Sequence, residues 1–267
     1  MNDGHIHTPY CPHGSDQPLE AYVNRALTLG YSSMTFTEHA PLPPSFIDPV
    51  PDQDSAMRSN DVEDYIKTIH QLKESYNSDI DIRLGFEVDY IKGFEDEITS
   101  FLDDYGDYID DSILSVHFLK TGGQWYCIDY SPEMFKEAID ASGSIKELYD
   151  LYYQAMEQSA LADLGPHKPN RIGHMTLIKK FQLLYDPPEN WYHSASLFLD
   201  TVKKQGMSLD YNGAGAKKSY CHESYPPLSI AALASSKKIP LVYGSDAHHP
   251  NQLKQGYSEL KQSFIVR

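Results

Sequence analysis

The chain has 267 residues, of which 22 are Lys or Arg and 38 are Asp or Glu, so its formal net charge is −16. This length can bury a substantial core, and the acidic balance disfavours nucleic acid, whose phosphates attract Lys and Arg. The hydrophobic content of 40% and the aromatic content of 12% are too high for a disordered chain. We expect a globular protein that does not bind nucleic acid.

The sequence also argues against export and against a membrane span. Its apolar runs are all shorter than the roughly 20 residues that cross a bilayer, and MNDGHIHTPYCPHG lacks the basic and apolar parts of a signal peptide. The three cysteines, Cys11, Cys127 and Cys221, are odd in number and widely spaced, unlike a disulfide framework. We therefore expect a cytoplasmic protein with no membrane partner, and leave open whether it forms a homodimer.

Predicted strands and helices alternate along the chain. Apolar residues at helical spacing, with Asp16 as the expected first cap, predict helices at 17–29, 61–75, 95–104, 144–161, 194–206 and 229–236. Short apolar or alternating runs predict strands before His5 and at 33–39, 80–90, 112–118, 171–175, 207–212 and 239–249. The proline-rich stretch 41–54 is interpreted as a surface loop, so we expect one domain over residues 1–267.

This alternation predicts the fold class. Strands that alternate with helices form a parallel sheet, and about seven such units in 267 residues favour a closed, distorted (β/α)7 barrel over an open sheet. The glycine fingerprint of a dinucleotide-binding fold is missing after the first strand. In such barrels the active site lies at the carboxyl ends of the strands. Almost every predicted strand here ends in a polar residue that could bind a metal.

Two pairs of residues repeat the same spacing. His5 and His7 lie two residues apart, as do Asp246 and His248, so each pair can present both side chains on one face. Both pairs are therefore candidate metal ligands, although a lone HxH is also found by chance on surfaces. His249 is a candidate proton donor or substrate contact, with an ordinary loop position as the alternative.

Two further strand ends carry candidate residues. In Glu38-His39 the side chains point to opposite faces, so we expect His39 to enter the barrel mouth and Glu38 to orient either a ligand histidine or the loop. Glu87 lies within an apolar strand, where a carboxylate is unfavourable unless it is paired or bound to metal. Glu87 could bridge two metals, and a salt-bridged glutamate is the alternative.

The remaining candidates lie in a loop and in two short apolar strands. His117 and His174 could be metal ligands or hydrogen-bonded core histidines. His13, in the loop CPHG, could be a ligand or a solvent-exposed residue. Cys11 is interpreted as a small buried residue rather than as a thiolate ligand.

Taken in order, these motifs resemble the PHP superfamily, the polymerase and histidinol phosphatase group. The match runs from HxHT at residues 5–8, through EH at 38–39, Glu87, SVHF and IGH, to GSDAH at 244–248. CPHG, FTEHAPLP and SVHF are similar to its monofunctional histidinol-phosphate phosphatases. The resemblance implies a distorted (β/α)7 barrel that holds three divalent metal ions. Histidine and carboxylate ligands can bind Zn, Fe or Mn, so they do not determine the identity of the metal.

The resemblance also implies a ligand set and phosphate contacts. One metal is implied at His5, His7, Glu87 and Asp246, a second at Glu87, His117 and His174, and a third at His13, His39 and His248. In this family, arginines near the IGH strand and after the Asn-x-x-Gly turn typically bind phosphate. The corresponding basic residues here are Arg171, Lys217 and Lys218. Lysine keeps the charge of the usual arginine but loses its bidentate geometry.

The implied reaction is metal-dependent hydrolysis of L-histidinol phosphate to L-histidinol and phosphate, in histidine biosynthesis. We expect Glu87 to support catalysis as a metal ligand, and Asp246, His248 or His249 to protonate the leaving group. Another phosphoesterase of the same family, acting on small metabolites or nucleotides, and a non-catalytic metal-binding module are the alternatives. The substrate imidazole and amine need partners, for which loops 40–56 and 119–131 are candidates.

Overall fold

The computed structural model describes residues 1–266 and shows a parallel sheet of seven strands, with helices between most of them. In order across the sheet, the strands are β1 (Asn2–Ile6), β2 (Ser33–His39), β3 (Asp81–Asp89), β4 (Ile113–Ser115), β7 (Arg171–Ile172), β8 (Ser208–Asn212) and β9 (Leu241–Gly244). The order of these strands along the chain is also their order in space.

The sheet closes next to the strand ends that carry the polar residues. His7 N donates to Ala247 O at 3.0 Å and Asp246 N donates to His5 O at 2.8 Å, which joins the start of the sheet to the segment after β9. Ile6 and Ala247 form a parallel bridge at the same place. The fold is therefore a distorted (β/α)7 barrel, as the sequence predicted.

The helices are α1 (Leu19–Thr28), α2 (Val62–Ser75), α3 (Glu95–Tyr105), α4 (Pro132–Ser142), α5 (Ile145–Leu161), α6 (Trp191–Lys204) and α7 (Leu228–Ser236). Their apolar faces pack against the sheet. In α2 these are the predicted residues Val62, Tyr65, Ile66, Ile69 and Leu72, all buried. Within residues 1–266, no helix is both long and apolar enough to cross a bilayer.

Several element boundaries differ from the sequence prediction. The first helix begins at Leu19 after Pro18, so Asp16 lies before the cap position and the cap prediction was wrong. The strands predicted at 171–175 and 239–249 end early, at Ile172 and Gly244, because the chain leaves the sheet to present its polar residues.

The strand predicted at 112–118 is two separate strands. β4 ends at Ser115, and β5 (Phe118–Thr121) pairs antiparallel with β6 (Gln124–Cys127) in a hairpin outside the barrel. Gly122 and Gly123 form its turn, with φ of 57° and 84°, values that suit glycine. This hairpin and α4, which follows it, were missed in the sequence interpretation.

Candidate active site

The carboxyl ends of the barrel strands bring together the polar residues that the sequence scatters over 240 positions. His5 lies in β1, His39 ends β2, and Glu87 lies near the end of β3. The others follow a strand by one to four residues: His7, His117, His174, Asp246 and His248. All of these residues except Asp246 and His248 are at most 8% exposed.

The first group consists of His5, His7, Glu87 and Asp246. His5 Nε2 lies 3.2 Å from His7 Nε2 and 3.2 Å from Glu87 Oε2, and His7 Nε2 lies 3.2 Å from Asp246 Oδ1. Tetrahedral zinc, with Zn–N bonds of 2.0–2.1 Å, places its ligand atoms about 3.3 Å apart. The spacing of these four residues therefore fits a single cation.

The second group uses the other oxygen of Glu87. Glu87 Oε1 lies 2.8 Å from His174 Nε2, which in turn lies 3.2 Å from His117 Nε2. Ser115 Oγ donates to the same Glu87 oxygen at 2.6 Å. The two oxygens of Glu87 therefore face two different groups of histidines.

The third group contains His13, His39 and His248. The His13 ring centroid lies 5.3 Å from that of His39 and 5.2 Å from that of His248. His13 Nδ1 lies 2.9 Å from the carbonyl oxygen of Asp54. Cys11, interpreted from the sequence as a buried residue, is buried, and its Sγ also lies within 4.8 Å of ligand atoms of His7, His39 and His248.

Carboxylates behind the histidines fix the orientation of the rings. Asp210 Oδ2 lies 2.8 Å from His5 Nδ1, Glu38 Oε1 lies 3.1 Å from His7 Nδ1, and Asp89 Oδ1 lies 2.7 Å from His117 Nδ1. Each contact directs the opposite ring nitrogen, Nε2, towards the cluster. The sequence predicted this role for Glu38. It was missed for Asp89 and Asp210, which lie two positions from Glu87 and Asn212 on the same strand faces.

The charges of the buried residues in this cluster shift the pKa values of their neighbours. Burial alone would raise the pKa of Glu87, but the charges of His5 and His39 hold it well below its usual range. Burial works against protonated His7, yet its hydrogen bonds to Asp246 and Glu38 raise its pKa to about 9. Burial and the charge of His7 hold the pKa of His39 well below normal. The protonation of each of these groups therefore depends on the charge of its neighbours.

The backbone after β9 is constrained around Asp246. Its φ is 53°, in the left-handed region that residues other than glycine seldom adopt, and such strain is often found at functional sites. Asn212 Nδ2 donates to Asp246 Oδ2 at 3.2 Å and to Asp210 Oδ2 at 3.0 Å. The Asp246 carboxylate is thus held over the cluster by a contact from the neighbouring strand.

A cavity opens over the cluster and divides into two lobes. Both lobes share the residues His13, His39, His117, Asp129 and Lys180. The lobe that we call the cluster lobe adds Glu87, His174, Leu177, Lys218, Tyr225, Asp246, His248, Gln252 and Gln255. The lobe that we call the hairpin lobe adds Asp54, Ser55, Asp89, Phe118, Cys127 and Tyr130.

The structure does not bring every expected phosphate contact to this cavity. Arg171 begins β7, at the opposite end of the barrel, where its Nη2 bonds Gly4 O at 2.9 Å and Asp111 Oδ2 at 2.8 Å. Lys217 is half exposed and pairs with Glu259 outside both lobes. Lys218 does line the cluster lobe.

His249 also lies away from the cluster lobe. Its Nδ1 accepts a hydrogen bond from Asn251 N at 3.0 Å and so caps the short helix Pro250–Gln252. This contact fits the loop alternative that the sequence left open for His249.

The sequence interpretation missed Lys180, and it included Asp129 only as part of the candidate loop 119–131. Lys180 Nζ donates to the Asp129 carbonyl at 2.6 Å and to Asp129 Oδ2 at 2.9 Å. Burial would raise the pKa of Asp129, but the charge of Lys180 lowers it well below its usual range, so Asp129 is ionised at neutral pH. Lys180 lies six residues after His174, beyond the strand end at which the sequence interpretation looked.

Comparisons with known proteins agree with this geometry. The PHP domain family model matches residues 3–214. The chain is 51% identical to the histidinol-phosphatase of Bacillus subtilis (strain 168), over 99% of this chain and 98% of that protein.

Two solved structures share the fold. A Listeria monocytogenes protein named, provisionally, a histidinol phosphatase superposes with a TM-score of 0.93 at 38% identity, over 97% of this chain and 99% of that one. Histidinol phosphate phosphatase from Lactococcus lactis, solved with zinc, L-histidinol and phosphate, gives a TM-score of 0.72 at 17% identity, over 99% and 94%. By the family match and by its full-length relatives, this chain belongs to the PHP domain family.

Proposed function

We propose that this protein is a metal-dependent phosphatase that hydrolyses L-histidinol phosphate to L-histidinol and phosphate, a step of histidine biosynthesis. The observation that carries the proposal is the 51% identity to the Bacillus subtilis histidinol-phosphatase, which extends over 99% of the chain. The cluster of buried histidines and carboxylates supports it, since such donor sets bind the cations used in phosphate chemistry. We also propose that the chain forms one domain, because β9 pairs with β8 and its following segment joins β1.

We propose three cation positions, which correspond to the three groups of ligands described above. His5, His7, Glu87 and Asp246 would hold one, Glu87, His117 and His174 a second, and His13, His39 and His248 a third. Histidine nitrogen and carboxylate oxygen suit Zn, Fe and Mn, so the donor set leaves the metal open among these three. When bound, such cations polarise phosphoryl oxygens and lower the pKa of water towards 7.

Two lysines are proposed to bind the phosphate. Lys180 and Lys218 both line the cluster lobe, where an ammonium group can reach phosphate oxygens. Their local charge matters because the net charge of −16 repels an anionic substrate. We leave Arg171 and Lys217 out of this site, since both are engaged elsewhere by carboxylates.

The leaving alkoxide needs a proton, and two residues are placed to supply it. Asp246 and His248 line the cluster lobe, and His248 Nδ1 lies 3.2 Å from the Asp246 carbonyl oxygen. A ring nitrogen or carboxyl at the cavity wall can act as general acid once substrate brings the ester oxygen within hydrogen-bond distance. We prefer these two to His249, which caps a helix outside the lobe.

Phosphate release by the purified protein tests this function. L-Histidinol phosphate is compared with a panel of phosphorylated metabolites and nucleotides, each with and without a chelator. The proposal expects L-histidinol phosphate to have the highest kcat/KM and the chelator to abolish its hydrolysis. A nucleotide or another metabolite as the best substrate would instead favour a different phosphoesterase of this family, and chelator-resistant activity would refute the metal requirement.

A further inference from the structure

The proposed substrate carries a positive charge next to its phosphate ester. In L-histidinol phosphate the ammonium is on the carbon adjacent to the one that bears the ester oxygen, and the imidazole lies farther along the chain. With phosphate in the cluster lobe, the ammonium stays close to it and can reach the residues shared by the two lobes, and the imidazole can then extend into the hairpin lobe. This inference rests on the proposed function and deepens it.

Asp129 lies at that junction. Of the carboxylates in residues 1–266, it is the one that lines both lobes. The others on the cavity wall near the cluster are committed to histidines: Glu87 to His5 and His174, Asp89 to His117, and Asp246 to His7. Asp129 is therefore the carboxylate at the junction of the two lobes that can receive a cation from the substrate.

The Asp129 carboxylate is held in place and still has hydrogen-bond acceptor positions available. Lys180 Nζ anchors Oδ2 and the main-chain carbonyl, while Cys127 Sγ donates to Oδ1 at 3.3 Å. An ionised carboxylate has about four acceptor positions, so it can still accept from an ammonium. Its side chain is 20% exposed, which leaves it accessible from the cavity.

The rest of the hairpin lobe suits the cationic, aromatic end of such a substrate. Asp54 contributes a second carboxylate, and its loop is fixed because Asp48 accepts hydrogen bonds from Ser55 N and Ser55 Oγ at 3.0 Å. Phe118 and Tyr130 contribute aromatic rings to the wall. Acidic and aromatic groups together favour a cation attached to a flat ring.

We propose that Asp129 is a specificity-determining residue, whose carboxylate binds the substrate ammonium and so selects phosphomonoesters that carry an amine beside the ester carbon. Lys180 would then lie near the anionic phosphate and Asp129 next to the cationic amine. The charges of this pair would thus complement those of the substrate.

The test compares Asp129→Asn with the wild-type holoenzyme on two substrates. L-Histidinol phosphate carries the ammonium, and p-nitrophenyl phosphate lacks it. Loss of a hydrogen bond to a charged group predicts a roughly 10- to 100-fold fall in kcat/KM for L-histidinol phosphate, mostly through KM. For p-nitrophenyl phosphate we expect a clearly smaller fall, because Asp129 also holds the phosphate-binding Lys180, so the preference for the amine should shrink.

Two further measurements separate recognition from structural effects. Calorimetric binding of L-histidinol should weaken more in Asp129→Asn than binding of inorganic phosphate, because Lys180 keeps its contact with the Asp129 carbonyl. Asp129→Glu, which keeps the charge, should recover part of the preference, and Asp129→Ser offers a second uncharged variant if the first does not fold.

Several results would overturn the proposed role of Asp129. Equal losses on both substrates, or equal weakening of L-histidinol and phosphate binding, would show that Asp129 acts only by holding Lys180 and would overturn the proposal. An unchanged preference in Asp129→Asn would overturn it as well. A wild-type protein that does not prefer L-histidinol phosphate would instead refute the proposed function, and this inference with it.

Discussion

Glu87 Oε1 lies 2.8 Å from His174 Nε2, although 87 positions separate the two residues in the chain. Its other oxygen, Oε2, lies 3.2 Å from His5 Nε2. One carboxylate thus joins the histidines of β1 to the histidine that follows β7. The position of Glu87 between these groups is the basis of the first prediction.

Substitution Glu87→Gln should remove the bridge while keeping nearly the same shape. A neutral amide binds divalent cations more weakly than a carboxylate, so we expect lost metal and a fall in kcat well beyond 100-fold, more than the roughly 10–100-fold that outer-shell changes produce. Elemental analysis and phosphate release on the same sample check this. Full metal content with normal kcat would contradict the bridging role.

Substitution of a carboxylate that orients a histidine ring should lower metal affinity or activity less than substitution of Glu87, but by a measurable amount. Asp89→Asn leaves His117 Nδ1 without its charged partner at 2.7 Å, so we expect metal affinity or activity to fall roughly 10–100-fold. Titration of the chelated protein with Zn²⁺ or Mn²⁺ gives the affinity. Asp186→Asn, in the stretch before α6, is a matched change remote from the cluster, and equal effects of the two substitutions would argue against ring orientation by Asp89.

Of the two lysines predicted from the sequence, Lys218 should behave like Lys180 and Lys217 should not. Because Lys180 and Lys218 line the cluster lobe and Lys217 does not, Lys180→Met and Lys218→Met should each lower kcat/KM about 10-fold or more for any phosphomonoester. Lys217→Met should change kcat/KM little, since its partner Glu259 is outside the cavity. A strong loss in Lys217→Met alone would reinstate the sequence-based assignment.

Metal affinity should rise with pH. Without a cation, hydrogen bonds to Asp246 and Glu38 raise the pKa of His7 to about 9, and Asp89 raises the pKa of His117 to about 10. A cation must displace those protons, so its apparent affinity should increase about tenfold per pH unit for each proton released between pH 6 and 8. Competition with a chelator at several pH values measures the slope. An affinity that does not vary with pH would contradict protonated histidines in the metal-free cluster.

The strand-end motifs could be predicted from the sequence because they are local. His5 and His7, or Asp246 and His248, share a face by spacing alone, and a parallel barrel collects the ends of its strands. Asp89 could have been found by the same rule, since it lies two residues after Glu87. The hairpin also left a signal, in the Gly122–Gly123 turn between two short aromatic runs.

Other features depended on tertiary structure. Arg171 was assigned to phosphate because it is near His174 in sequence, but it begins the strand that His174 follows, so the two face opposite ends of the barrel. Lys180 and Asp129 are 51 residues apart, and their pairing depends on how the segment after β7 packs against the hairpin. Spacing within one element carries no information about such contacts.

Anomalous diffraction from crystals of the protein purified with its metals tests the central claim most directly. The account predicts three cation peaks, one at each group of ligands, with Glu87 between two of them. Absence of peaks at the histidine cluster, or peaks whose ligands are other residues, would contradict it.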